Sequence, residues 1–191
     1  MIPLMIFNAL QTAVTATFLV PLMTHTMQFS PGYAHLSSQE KLSMNLFVLV
    51  GLGVGYCAGS LLMGWIQDKP GVSNRTTLAT AWLISALSCG FLVYYILGYS
   101  FTQARGLLLC TLQGVCDGGL NVVLDCINGF QYDSQRTPFS VNKLVFSFFI
   151  FVFGLIIANL EDKQSQLWFA SFQLGYAGVA FVIAICWFKF K

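Results

Sequence analysis

The chain has 191 residues, of which 57% are hydrophobic and only 8% are charged, and its formal net charge is +2. Soluble domains carry about 25% charged residues, so this chain has too few to cover a water-soluble globule. Its nine basic residues are scattered along the sequence, and nucleic acid is therefore not an expected partner. The composition predicts an integral, multi-pass membrane protein in contact with the lipid bilayer. It leaves open whether that membrane is an organellar inner membrane, an endomembrane or the plasma membrane.

Six segments are long and apolar enough to cross a bilayer, whose hydrocarbon core requires about 20 apolar residues in a helix. They are residues 2–23, 44–66, 77–98, 104–130, 138–160 and 166–188. The connection 24–43 is long and polar, and the other connections are short. The expected fold class is therefore all-α, an integral membrane bundle of six helices that forms a single domain, 1–191.

The first segment has a polar face. At about 100° per residue in a helix, side chains three and four positions apart share one side. Four polar residues of the first segment meet that condition: Asn8, Gln11, Thr12 and Thr15. Because lipid cannot satisfy such groups, this face is predicted to line a cavity or to pack against another polar helix.

The second segment carries a ladder of small residues. Gly51, Gly55 and Gly59 repeat every four positions and therefore share one face. Small residues at this spacing let the backbone of a neighbouring membrane helix approach closely. We expect this face to be a helix-packing surface.

The second segment ends in the sequence "GWIQDKPG", which resembles the loop signature of the major facilitator superfamily. That signature joins the second and third helices of a six-helix half. The residues that match it, with the one basic residue that follows, are Gly64, Asp68, Lys69, Gly71 and Arg75. The glycine permits a tight turn, and the aspartate can cap or pair with a neighbouring helix end.

The fourth segment carries a second polar stripe, in "QGVCDGGLNVVLDCINGF". Its polar side chains fall within about a third of a turn: Gln113, Asp117, Asn121, Asp125 and Asn128. Asp117 lies about 18 Å along the axis from Arg105, at about 1.5 Å per residue, which is near the middle of a bilayer. A carboxylate at that depth costs about 2.5–3.5 kcal/mol, so it is expected to face a cavity, a partner or the protein interior.

Over residues 1–188 the chain resembles the C-terminal six helices of uncoordinated-ninety-three-like membrane proteins, a branch of the major facilitator superfamily. The stretches that carry this resemblance include "GVCDGGLN", "INGF" and "FSVNKLVFSF". The matching residues are Gly114, Asp117, Gly129, Asn142, Lys143 and Leu144. The resemblance implies a fold equivalent to one half of a major facilitator. In that fold the first and fourth helices line the central cavity, and the third and sixth support them from outside.

Basic residues near the segment ends predict the orientation, since Lys and Arg are enriched on the cytosolic side. The side that holds the N-terminus receives six of them: Lys69, Arg75, Arg136, Lys143, Lys189 and Lys191. The opposite side receives three: Lys41, Arg105 and Lys163. Both termini are therefore expected on the cytosolic side or its equivalent.

Three functional hypotheses follow from this pattern. The leading one is a non-enzymatic structural or partner-binding subunit of a larger membrane assembly, because alternating access requires two halves around a midplane site. The second is a half-transporter that pairs with another six-helix unit and moves a small solute, coupled through Asp117. The third is that the chain forms part of a twelve-helix protein. No catalytic residue set, metal site or cofactor is expected.

Overall fold

The structure is a computed structural model that describes residues 1–29, 35–99, 101–130 and 136–187, without the side chains of residues 130, 136, 137 and 187. It contains six long helices within those ranges. We label them in chain order as α1 (Ile2–Met27), α2 (Ser38–Gln67), α3 (Asn74–Gly98), α4 (Gln103–Phe130), α5 (Arg136–Ile157) and α6 (Lys163–Trp187).

All six helices are long and apolar enough to cross a membrane. The described parts of the chain contain helices, turns and loops but no strand. The predicted fold class, an all-α membrane bundle of six helices, is confirmed. The chain is an integral, multi-pass membrane protein.

The helix ends differ from the predicted ones by four and six residues in two places and by at most three residues elsewhere. α1 continues to Met27, and α2 begins at Ser38, so the polar stretch between them is shorter than expected. The early start of α2 has a local cause, because Ser37 and Glu40 form a capping box. The Ser37 backbone N–H donates to the Glu40 carboxylate at 2.8 Å, and the Glu40 N–H donates to the Ser37 hydroxyl at 3.3 Å. Residue 188, Lys189 and Lys191 lie outside the described residues.

The first helix contains a π-helical segment, Val14–Phe18, between α-helical parts Ile2–Ala13 and Leu19–Met27. The Leu19 N–H donates to the Val14 carbonyl, five residues earlier. Pro21 lies just beyond and supplies a reason for this irregularity, because proline has no N–H and its ring clashes with the preceding turn. The Thr17 hydroxyl donates to the Ala13 carbonyl at 2.6 Å and satisfies one acceptor of the distorted turn.

The two most enclosed helices are α1 and α4. In their most apolar stretches 67% and 61% of residues are buried, against 17% in α5. α1 packs against α4, α5 and α6, while α4 packs against α1, α2 and α3. α3 and α6 pack against each other. Exchanging α1 with α4, α2 with α5 and α3 with α6 therefore maps these six contacts onto one another.

The tightest helix pair is α2 with α4, and glycines on both helices form it. A Cβ added to Gly55 would collide with the carbonyl oxygen of Thr111, and one added to Gly118 would collide with that of Tyr56. Clashes of the same kind, with backbone or side chain, are found at Gly51, Gly59 and Gly114. The backbones are in direct contact here. Because the hydrophobic effect does not drive helices together in lipid, close van der Waals packing of this kind stabilises the pair.

Candidate functional site

A buried carboxylate lies where α1 crosses α4. Asp117 is 6% exposed. The Thr12 hydroxyl donates to its Oδ1 at 2.8 Å, and the Thr15 hydroxyl lies 3.1 Å from its Oδ2. The Thr15 hydroxyl also lies 3.0 Å from the Thr12 carbonyl, so its single proton serves two acceptors. The π-helical segment of α1 supplies Thr15, which links the irregular backbone to this site.

Two asparagines extend the site along α4. The Asn121 Nδ2 donates to the backbone carbonyl of Asp117 at 2.9 Å and lies 3.4 Å from its Oδ1. The Asn8 Nδ2 in turn donates to the Asn121 Oδ1 at 3.0 Å. The polar side chains of α1 therefore contact the polar stripe of α4 through hydrogen bonds, and no Lys or Arg takes part in these contacts.

Deeper in the bundle, three glutamines form a chain of hydrogen bonds across four helices, which we call the glutamine relay. Gln173 on α6 donates to Gln11 on α1 at 2.7 Å, and Gln11 donates to Gln113 on α4 at 2.6 Å. Gln113 then donates to the backbone carbonyl of Ser88 on α3 at 3.2 Å. All three glutamines are fully buried. The relay links α1 and α3, from the first half of the chain, with α4 and α6, from the second half.

The polar stripe predicted on α4 divides into inward and outward parts. Gln113 and Asp117 are buried in the contacts just described, and Asn121 is half-buried. Asn128 is also buried, but neither its Nδ2 nor its Oδ1 has a hydrogen-bond partner among the residues that the structure describes. Asp125 is exposed. The same side of α4 is therefore buried at Gln113 and Asp117 and exposed at Asp125, because the neighbouring helices cover only part of it.

The outward part forms a small polar face on the surface of the bundle. It consists of Asp125 and Asn121 on α4, Thr12 on α1 and Tyr56 on α2. Tyr56 is 42% exposed, and its backbone lies against Gly118 of α4. We call these four residues the polar face. Since all four lie within membrane-length helices, the polar face is at the level of the membrane.

Sequence reasoning missed two members of the relay. Gln173 is a lone polar residue in the apolar segment of α6, and a single residue shows no periodicity that would mark a polar face. Ser88 takes part through its backbone carbonyl, which leaves no trace in the sequence. The lone glutamine was the available signal, since a polar side chain inside a membrane helix needs a partner.

The signature loop follows the C-terminal end of α2. Gly71 has φ +86°, a conformation that favours glycine, and the Lys69 ammonium lies 3.3 Å from the centre of the Trp65 ring. Asp68 is the C-cap residue of α2, and its backbone N–H donates to the Gly64 carbonyl at 3.0 Å. Ser73 caps the start of α3, its hydroxyl accepting from the Thr76 N–H at 3.2 Å. Gly64 and Arg75 have no close packing role here, since a Cβ at Gly64 would meet open space and Arg75 is exposed.

Of the remaining residues that carry the family resemblance, some are buried in the bundle and others are exposed on its surface. Asn142 on α5 is buried, and its Oδ1 has no hydrogen-bond partner in the described part of the chain. Lys143 and Leu144 beside it are exposed. Gly129 is half-buried near the end of α4. These residues do not contact Asp117 through any hydrogen bond of the described chain.

The chemistry available at Asp117 is proton exchange or hydrogen bonding. Its partners are hydroxyl and amide groups, so it can gain or lose a proton without breaking an ion pair. Within the described ranges no group of three His, Cys, Asp or Glu side chains could hold a metal ion. No protein-family model matches the chain, and no curated protein matches it.

Proposed function

We propose that this chain is a non-enzymatic membrane protein built like one half of a major facilitator, similar to the C-terminal half of uncoordinated-ninety-three-like proteins. We propose further that it serves as a structural or partner-binding subunit of a larger membrane assembly. Two kinds of partner fit this role: other membrane protein subunits, or a second six-helix half.

The family proposal is supported by two independent features. One is the sequence "GWIQDKPG" between α2 and α3, with "GVCDGGLN" in α4. The other is the helix-contact pattern, in which the first three helices exchange with the last three. Facilitator halves consist of two inverted repeats of three helices, and such repeats produce this exchange.

The observation that carries the subunit role is the polar face. Asp125 lies about 8 Å from the end of α4, five residues before Phe130, and Asn121 lies about 6 Å deeper at 1.5 Å per residue. Both are at least partly exposed in the isolated chain. Ionisable residues within membrane segments face protein or a water-filled cavity rather than lipid. A partner that covers the polar face would meet this requirement.

The enclosure of Asp117 favours a packing role for this carboxylate. Each of its oxygens already has a hydroxyl within 3.1 Å, supplied by α1 of the same chain. A carboxylate that binds a solute would need at least one of those contacts to open. The contacts instead hold α1 against α4, next to the glutamine relay.

The test is partner recovery from native membranes with an altered polar face. Asp125→Leu should lower the yield of co-purifying subunits several-fold, because a leucine cannot replace the polar contact. The thermal stability of the bundle itself should stay the same or rise, since the charge at this depth disappears. The control is Leu87→Ala, at a site on α3 that is 68% exposed. Unchanged partner recovery in Asp125→Leu would contradict the proposal.

A second candidate function is a half-transporter that pairs with another six-helix unit and moves a small solute. Thr12 and Asn121, which contact Asp117, are both half-buried, so the surroundings of the carboxylate reach the polar face. Asp117→Asn keeps the size and hydrogen bonding of the side chain but removes its titration. In reconstituted vesicles, a coupled half-transporter should lose proton-driven uptake in this variant while still assembling. A partner-binding subunit should show no such uptake in either form.

A further inference from the structure

A cleft opens between the C-terminal ends of α1 and α5, on the opposite side of the bundle from the signature loop. Its volume is about 400 Å³, within the 300–1,000 Å³ range typical of ligand pockets. Thr17, Pro21 and His25 line it from α1, and Gly154 and Glu161 line it from α5 and the following turn. The other lining side chains are aliphatic: Ile157, Ala158 and Leu160.

The cleft exists because α5 has a glycine there and no neighbouring atom fills the space beside it. A Cβ added to Gly154 would meet nothing within 4 Å. The helix exchange described above relates the α1–α5 pair to the α2–α4 pair, where Gly55 and Gly118 allow the backbones to touch. α1 and α5 stay apart at this end, so the glycine leaves a space instead of a contact.

The two titratable groups of the cleft lie at its outer end. His25 is two residues before the end of α1, and Glu161 is four residues beyond the end of α5. Neither side chain has a hydrogen bond or ion pair within the described residues. The adjacent Asp162 is already engaged, since its carboxylate accepts from the Ser165 N–H at 3.0 Å at the start of α6. Within the described parts of the chain, Glu161 and His25 therefore have no partner that a ligand at the level of the membrane surface would have to displace.

We propose that this cleft binds a phospholipid with a primary-amine headgroup, of the phosphatidylethanolamine type. The headgroup ammonium would donate hydrogen bonds to the Glu161 carboxylate, and the His25 imidazole would donate to a phosphate oxygen. The apolar walls around Pro21 and Gly154 would receive the start of an acyl chain. A zwitterionic lipid matches a cleft whose lining includes a carboxylate acceptor, an imidazole donor and aliphatic walls, and a bilayer supplies it at this depth. Such a lipid site is independent of the proposed function.

The experiment compares two lipids with identical acyl chains, phosphatidylethanolamine and phosphatidylcholine. The purified chain is incubated with an equimolar mixture in detergent, and lipid retained by the protein is measured by native mass spectrometry. We expect phosphatidylethanolamine to be retained about tenfold more, because a trimethylammonium group cannot donate a hydrogen bond to the carboxylate. Water-soluble glycerophosphoethanolamine at the same concentration should not compete, since it lacks the apolar part.

Glu161→Gln should reduce the preference towards one, because a neutral amide oxygen accepts a weaker hydrogen bond from the primary ammonium than a carboxylate does. Glu40→Gln is the matched control, since Gln preserves a capping box and Glu40 lies outside the cleft. Gly154→Leu should fill the cleft and abolish retention, whereas Gly175→Leu, at another open helical glycine, should not. Equal retention of both lipids by the unaltered chain would overturn the proposal. A preference that survives Glu161→Gln, or effective competition by glycerophosphoethanolamine, would overturn it as well, even if Gly154→Leu fails to fold.

Discussion

Replacing Gly55 by alanine should destabilise the bundle although it adds only one methyl group. The new Cβ would overlap the Thr111 carbonyl oxygen and lie 3.0 Å from the Thr111 Cα, whereas ordinary contact begins at 3.4 Å. α2 must therefore move away from α4 by roughly 0.5–1 Å, a gap that removes a quarter to a half of the dispersion energy of each affected contact. Overpacking of this kind costs about 1–3 kcal/mol. Gly53→Ala on the same helix meets nothing within 4 Å and is the matched control.

The measurement is thermal unfolding in detergent, followed with a thiol-reactive dye that reports exposure of the buried Cys89, Cys110 and Cys116. For a chain of this length, about 1–3 kcal/mol corresponds to a fall in apparent Tm of roughly 2–12 °C. Gly53→Ala should leave Tm unchanged or raise it, because alanine is the better helix former by about 0.5–1 kcal/mol. Equal Tm values for the two variants would refute the backbone contact between α2 and α4.

Two further predictions concern topology and the glutamine relay. Single cysteines introduced at Ser37 and Ser73 in a cysteine-free background should be labelled from opposite sides of the membrane, since α2 lies between them; labelling from one side would contradict six crossings. Gln11→Leu should lower the free energy of unfolding more than Gln173→Leu. The first leaves both Gln113 and Gln173 without their Gln11 partner, the second leaves only Gln11, and each loss costs about 0.5–2 kcal/mol. Equal losses in the two variants would argue against the relay.

Some features of the fold can be read from the amino-acid sequence alone, because they depend on local chemistry. Each membrane span is recognisable in the sequence as an apolar run of about 20 residues, a length that the bilayer thickness imposes. The early start of α2 was also readable, since Ser37 and Glu40 have the spacing of a capping box, but the polarity of the stretch around them outweighed it. The polar stripes of α1 and α4 can be drawn on helical wheels for the same reason.

Other features depend on how each helix is rotated and on which helix lies beside it. The periodicity of polar residues in the sequence gives no information about either. The sequence places the polar residues of α4 on one side of the helix. In the structure, however, Asp117 contacts Thr12 and Thr15 inside the bundle, while Asp125 is exposed. Gln173 joins the relay only because α6 brings it to Gln11.

Hydrocarbon thickness and the 3.6-residue period act on each segment separately, so six crossings and the polar or small faces of single helices follow from the order of the amino acids. The contact of α2 with α4 through glycine, the enclosure of a carboxylate by two hydroxyls, and the cleft between α1 and α5 do not. Each of these features joins segments that are distant in the chain. Packing between helices in lipid depends on close shape fit between such segments, and that fit is a property of the assembled bundle.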